Sequence, residues 1–192
     1  MNVEGQGEQR LETLKINALI VVVSALMWVV AFKVHSIALP TTAHAAGIDL
    51  IFIPSGIRFF ALLIGGVWAA VGVSLGSLLL AGNEFNIHSL AEIGAISAVS
   101  GFGPYVSLLV SQRLLRIDSS LGNLFTRHLP LLAFGTAAGS AILHNVLFWA
   151  LGLEMSGAFP ESTFAMAAGD FAGSLLVVIL VIGVMRLYRR WR

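Results

Sequence analysis

From Leu50 to about Gly82 the chain carries a single charge, Arg58. As one helix this stretch would be about 50 Å long at ~1.5 Å per residue, against a bilayer hydrocarbon core of ~30 Å. It therefore reads as two short spans, and Gly65-Gly66 near its middle divides it into Leu50–Gly65 and Trp68–Leu80. Four further apolar runs, Ile16 to about Val34, Ala91 to Val110, Leu129 to Leu151 and Phe164 to Val184, are separated by short polar segments. The expectation is an all-α, polytopic transmembrane bundle of six helices. Composition agrees: hydrophobic residues make up 57% of the chain and charged residues 11%, well below the ~25% of soluble domains. The runs are continuous rather than alternating with period two, which argues against a transmembrane β-barrel.

Residues 1–15 form a polar segment with Glu4, Glu8, Arg10, Glu12 and Lys15, residues 16–184 the membrane domain, and residues 185–192 a basic tail. Ala43-His44-Ala45 has the small-residue character of a signal cleavage site. It lies well beyond the first apolar core, and the preceding segment is rich in Glu, so the first run is expected to stay as a span. With the N-terminus inside, Arg10, Lys15, Arg113, Arg116, Arg127, Arg186, Arg189, Arg190 and Arg192 fall on the cytoplasmic side, nine of the 11 basic residues. Lys33 falls outside, together with Asp49, Glu84, Glu154 and Glu161. The positive-inside bias thus predicts six spans with both termini cytoplasmic, in a bacterial inner membrane.

Polar groups inside the spans are the candidate site. Arg58 sits near the centre of its span, where an unpaired guanidinium is expensive. Asp170 is the one acid within the last span and lies at a matching depth, so it is the expected partner; Glu92, nearer the outer surface, is the weaker alternative. Tyr105, His144 and Asn145 complete the set of intramembrane polar candidates, with Ser140 one turn before His144 on the same face. Pro104 removes a backbone donor and predicts a kink near Val99 to Gly103. Small residues four apart, Gly72 with Gly76, Gly94 with Ala98, Gly135 with Gly139 and Gly169 with Gly173, are expected at intrachain helix contacts.

Catalysis has no visible machinery. There is no HExxH, no nucleophile motif in its usual context, no phosphate loop and no cysteine. His35, His44, His88 and His128 lie near span ends but are scattered, so no metal site and no cofactor are expected. A net charge of +1 gives no basic surface for nucleic acid. Tyr188, Trp191 and the terminal arginines read as an interfacial anchor in contact with membrane lipid.

The segment IFIPSGIRFFALLIGGVWAAVGVSLGSLLLAG, with Pro54, Gly56, Gly65, Gly66 and Gly76, resembles the membrane-associated sensor domain found ahead of bacterial histidine kinases and diguanylate cyclases. LLVSQRLLRI at the end of the fourth span, and Gly169-Asp170 followed by Gly173, are similar to further features of that family. Arg58 departs from it, at a position that is small or apolar in the family's pattern. The resemblance implies a sensory or small-ligand-binding module without its own output domain, acting through a membrane signalling protein. In architecture the chain also resembles the substrate-binding subunits of energy-coupling-factor vitamin transporters. That likeness implies a small-molecule ligand and a coupling subunit, for which Ala18, Ser24, Ala25 and Ala31 supply small residues on the first span. A membrane assembly or scaffold protein is the remaining alternative.

Overall fold

The computed structural model describes residues 3–39, 43–45, 48–84, 89–153 and 158–191. His44 falls in a short strand whose side chains are not described, while His88, Glu154 and Arg192 lie outside the described residues. The elements run α1 (Val3–Ala38), β1 (Ala43–Ala45), β2 (Ile48–Asp49), α2 (Ile53–Glu84), α3 (Leu90–Leu114), α4 (His128–Ala150) and α5 (Phe159–Arg190). The two strands pair antiparallel between α1 and α2. All five helices are long and apolar enough to cross a membrane, consistent with a multi-pass membrane protein.

Five helices are present among the described residues where six were expected. The expected second and third spans fall within one helical run, α2, which leaves helical geometry at Gly66 (φ 56°, ψ −135°). Two helical arms thus meet across a kink at this one residue, within a single run. A positive φ of this kind is open to glycine and costly for L side chains.

The two arms of α2 meet α1 in opposite order. Phe52, just before the first arm, packs edge-on against His35 at 5.2 Å, and Gly65 at the arm's end faces Ile20. Along the second arm, Gly72 lies on Val21 and Ser24, and Gly76 on Ala25 and Trp28. The partner on α1 therefore moves back from His35 to Ile20 and then forward again to Trp28. A Cβ on Gly65 would also lie 2.9 Å from that of Ala69, whereas residues four apart in a continuous helix hold their Cβ atoms ~5–6 Å apart. The chain doubles back at Gly66.

Burial follows helical periodicity on each element. Among the residues of α1 whose side chains are described, only Ser24, Trp28, Ala31 and His35, spaced four, three and four apart, are buried, and Leu19, Leu26, Val30 and Val34 face outward. The small residues Ser24 and Ala25 are thus spent on the glycines of α2 rather than on an external docking stripe, and Ala18 is exposed. The main apolar core joins Phe59 and Leu62 of α2, Leu108 of α3, Leu132 of α4 and Val178 of α5. Phe59 adjoins Arg58, and Leu62 lies one turn from Arg58, Val178 about two turns from Asp170 and Leu132 about three turns from His144. The apolar core therefore starts at the level of the charges and runs from there toward Gly66.

Small-residue pairing is met at most of the expected places. Gly135 lies on Ser111 and Gly139 on Ser107, closing α3 against α4, and Gly173 lies on the backbone of Phe52 and Ile53. Gly94 and Ala98 are a correction: nothing lies within 4 Å of a Cβ built on Gly94, and Ala98 is exposed. Four-residue spacing defines a common face without saying where along it a neighbour stands: Gly101, two turns on from Gly94 and on nearly the same face, meets Ala70 and Ser74 of α2, while Ser107 and Ser111 meet α4.

Candidate functional site: a buried charge centre

The centre is built by close approach of α2 and α5. A Cβ at Gly173 would overlap the Phe52 carbonyl, and one at Gly56 would lie 2.9 Å from the Gly173 oxygen. With glycine at both positions the backbones touch: the Phe52 N–H donates to the Gly169 oxygen at 3.0 Å. Ser55 adds a hydroxyl 2.6 Å from the Asp170 carbonyl and 3.1 Å from Ser174 Oγ. α5 itself starts with Pro160 in its first turn and Glu161 accepting from the Ala158 N–H at 3.4 Å.

This seam brings the two charges together. Arg58 Nη2 donates to Asp170 Oδ2 at 2.9 Å, with the side chains only 6% and 9% exposed. Burial of that degree removes most of the solvent that would screen the pair, so attraction and desolvation are both large. The Trp28 ring of α1 lies against the guanidinium, its centroid 5.1 Å from Cζ, a cation–π contact that replaces part of the lost hydration.

The second guanidinium nitrogen explains Pro104. Nη1 donates to the Ser100 carbonyl at 3.2 Å. In a regular helix that carbonyl would accept from the N–H of residue 104, and proline has none. Pro104 stands inside α3, which continues from Leu90 to Leu114. The freed acceptor is taken by a charged donor instead of being buried unpaired.

Ser100 also connects the charge pair to α4. Its hydroxyl lies 3.4 Å from His144 Nε2. His144 Nδ1 is 2.9 Å from the Ser140 carbonyl, which can only accept, so Nδ1 carries a proton and donates. Nε2 is then left to accept from Ser100. One residue thus serves Arg58 through its backbone and His144 through its side chain.

The other sequence candidates are placed elsewhere. Asn145 is fully buried and turns to α5, its Nδ2 donating to the Ala141 carbonyl at 2.9 Å and lying 3.7 Å from Met166 Sδ. Its Oδ1 has no hydrogen-bond partner among the described residues, nor do Trp28 Nε1, Ser97 Oγ and Thr136 Oγ1. Tyr105 packs against the apolar core. Glu92 stays in the first turn of α3, partly exposed, and Arg58 takes Asp170 instead. Gly72, Gly76, Gly135, Gly139, Gly169 and Gly173 are contact positions that set helix spacing.

Sequence reasoning missed Ser100, Trp28, Ser55 and Ser174. A signal for Ser100 existed, since it stands four residues before Pro104. For Trp28 there was none, because nothing local says which helix covers the guanidinium. A search of family descriptions, curated proteins and solved structures finds no match to this chain.

Proposed function

We propose that this chain is a six-crossing inner-membrane module that binds a small polar ligand at the Arg58 centre and passes its occupancy to a partner protein, a sensory or ligand-binding role. The observation that carries the reading is the convergence on one buried guanidinium of groups from every helix. Trp28 comes from α1, Ser100 from α3, Asp170 from α5, and His144 of α4 joins through Ser100. A pin serving stability alone would be cheaper in apolar residues, since a buried ion pair is often no better than a packed apolar substitute. A guanidinium also carries more N–H donors than the two acceptors found here use. A ligand with a carbonyl, carboxylate or phosphate oxygen fits that surplus. Any change at this point is felt by all five helices.

Six crossings with both termini cytoplasmic are supported by the reversal at Gly66 and by the basic residues, nine of 11 of which that path gathers on one face. Continuous apolar helices favour an inner over an outer membrane, where closed barrels are the rule.

The chain has no cysteine, so single cysteines report without background. With a membrane-impermeant thiol reagent in oriented vesicles, Gly7→Cys and Ser120→Cys should label from the same side and Asn83→Cys from the other. Asn83 labelling with Ser120 overturns the six-crossing path. Ser100→Cys should react with a small anionic thiol reagent from one side of the membrane, while Ile64→Cys, at a lipid-facing position 81% exposed in the protein alone, should not. An inert Ser100→Cys beside a reactive Ser120→Cys overturns ligand access.

A further inference from the structure

We propose that the last two turns of α5 form a headgroup site for anionic phospholipid. From Gly183 to Trp191 every residue is exposed, and the stretch contains Arg186, Arg189 and Arg190 with no acidic residue. The helix ending at Arg190 has 32 residues. Measured from Phe159, Arg186 lies about 40 Å along it at ~1.5 Å per residue, beyond a hydrocarbon core of ~30 Å. The arginines therefore stand at headgroup depth.

Their arrangement is two-sided. At ~100° per residue, Arg186, Arg189 and Arg190 fall within one arc of about 100°, and Val184, Leu187, Tyr188 and Trp191 within the opposite arc. Val184 is 66% exposed, Leu187 58% and Trp191 84%, so among the described residues little covers these three side chains. A basic face beside an aromatic one is the pattern of a helix that meets both phosphate and acyl chain.

Among the described residues no carboxylate pairs with these arginines, Asp118 of the loop between α3 and α4 included. α5 packs on α2, α4 and β2; α4 contains no acid and α2 only Glu84, its last residue. Glu8 and Glu12 belong to α1, which does not touch α5. Lipid phosphate is present at this depth by necessity, and guanidinium binds it with two parallel hydrogen bonds. The site is independent of the Arg58 centre and of the ligand reading built on it.

The test is lipid selectivity of the full-length protein in proteoliposomes, read with spin-labelled phosphatidylglycerol against spin-labelled phosphatidylcholine. Wild type should prefer phosphatidylglycerol, by up to about fivefold for each engaged arginine, and 1 M salt should reduce the preference. The R186Q/R189Q/R190Q variant should lose most of it, and R186K/R189K/R190K should keep more than the Gln variant. Inorganic phosphate at millimolar concentration should not compete, because it lacks the acyl chains that the aromatic face meets. Equal selectivity in wild type and the Gln variant overturns the proposal, as does no selectivity in wild type. Loss of a co-purifying acidic protein in the Gln variant, without any lipid preference in wild type, overturns it in favour of a protein partner. The salt and wild-type readings stand even if the Gln variant does not fold.

Discussion

The α2–α5 seam and the α3–α4 seam are both closed by glycine, yet only one of them carries charge. Between α3 and α4, Gly135 and Gly139 receive Ser111 and Ser107, whose hydroxyls donate at 2.8 Å to carbonyls one turn back in their own helix. Those hydroxyls are satisfied before the neighbour arrives, so the seam is a matter of shape. Between α2 and α5, Gly173 admits the backbone of Phe52 itself, and the polar groups of one helix are completed by the other. Small residues bring helices together in both cases. Whether the contact also has chemistry depends on what stands about one turn away, which is the Arg58–Asp170 ion pair in one seam and, in the other, His144 hydrogen-bonded to Ser100.

The largest effect should come from splitting the charge pair. Arg58→Ala or Asp170→Ala leaves a buried charge uncompensated and should cost about 3–5 kcal/mol, measured by unfolding in detergent and in bilayers. The double variant should cost less than the two losses added together. Additive losses would mean that the two groups do not depend on each other, and the contrast between the seams would collapse.

Next in size is glycine against backbone compared with glycine against hydroxyl. Gly173→Ala forces its methyl onto the Phe52 carbonyl and should cost about 1–3 kcal/mol. Gly135→Ala meets the Ser111 hydroxyl, which can rotate away only by giving up its bond to the Ser107 carbonyl, and the gain of ~0.5–1 kcal/mol from replacing helical glycine offsets part of that loss. Its net effect should be a loss below about 1 kcal/mol. Equal losses at the two positions would show that both seams are equally rigid.

Pro104→Ala should change stability by no more than about 1 kcal/mol, since the new N–H restores the helical bond to Ser100 while Arg58 gives up its own bond there. A loss as large as that of Arg58→Ala would break the link drawn between Pro104 and the guanidinium. Smallest is Ser140→Ala, expected within ~0.5 kcal/mol. It removes a hydroxyl 3.4 Å from His144 but leaves the carbonyl that holds the ring. A larger change would show that the hydroxyl, rather than the backbone, orients His144.

Legibility differed between the layers of the molecule for a physical reason. Depth in the membrane is a function of residue number along a helix, so counting from span ends was enough to match Arg58 with Asp170 before any helix was placed. Spacing likewise identified Gly135, Gly139 and Gly173 as contact positions. The same spacing failed at Gly94 and Ala98, because periodicity gives the members of a face and not where along it a neighbour stands. The same count from span ends set Glu92 nearer the outer surface than Arg58, and it stands in the first turn of α3.

By itself the sequence determined the class of the protein, because apolar runs with so few charges leave helices in a bilayer as the stable outcome, and it determined that Arg58 needs a partner. The tertiary structure alone decided that Trp28 covers the guanidinium and that Ser100 links it to His144. Those two facts concern which helix stands beside which and how each is rotated. Rotation and adjacency are settled by the packing of all the helices at once, so no local stretch of sequence contains them.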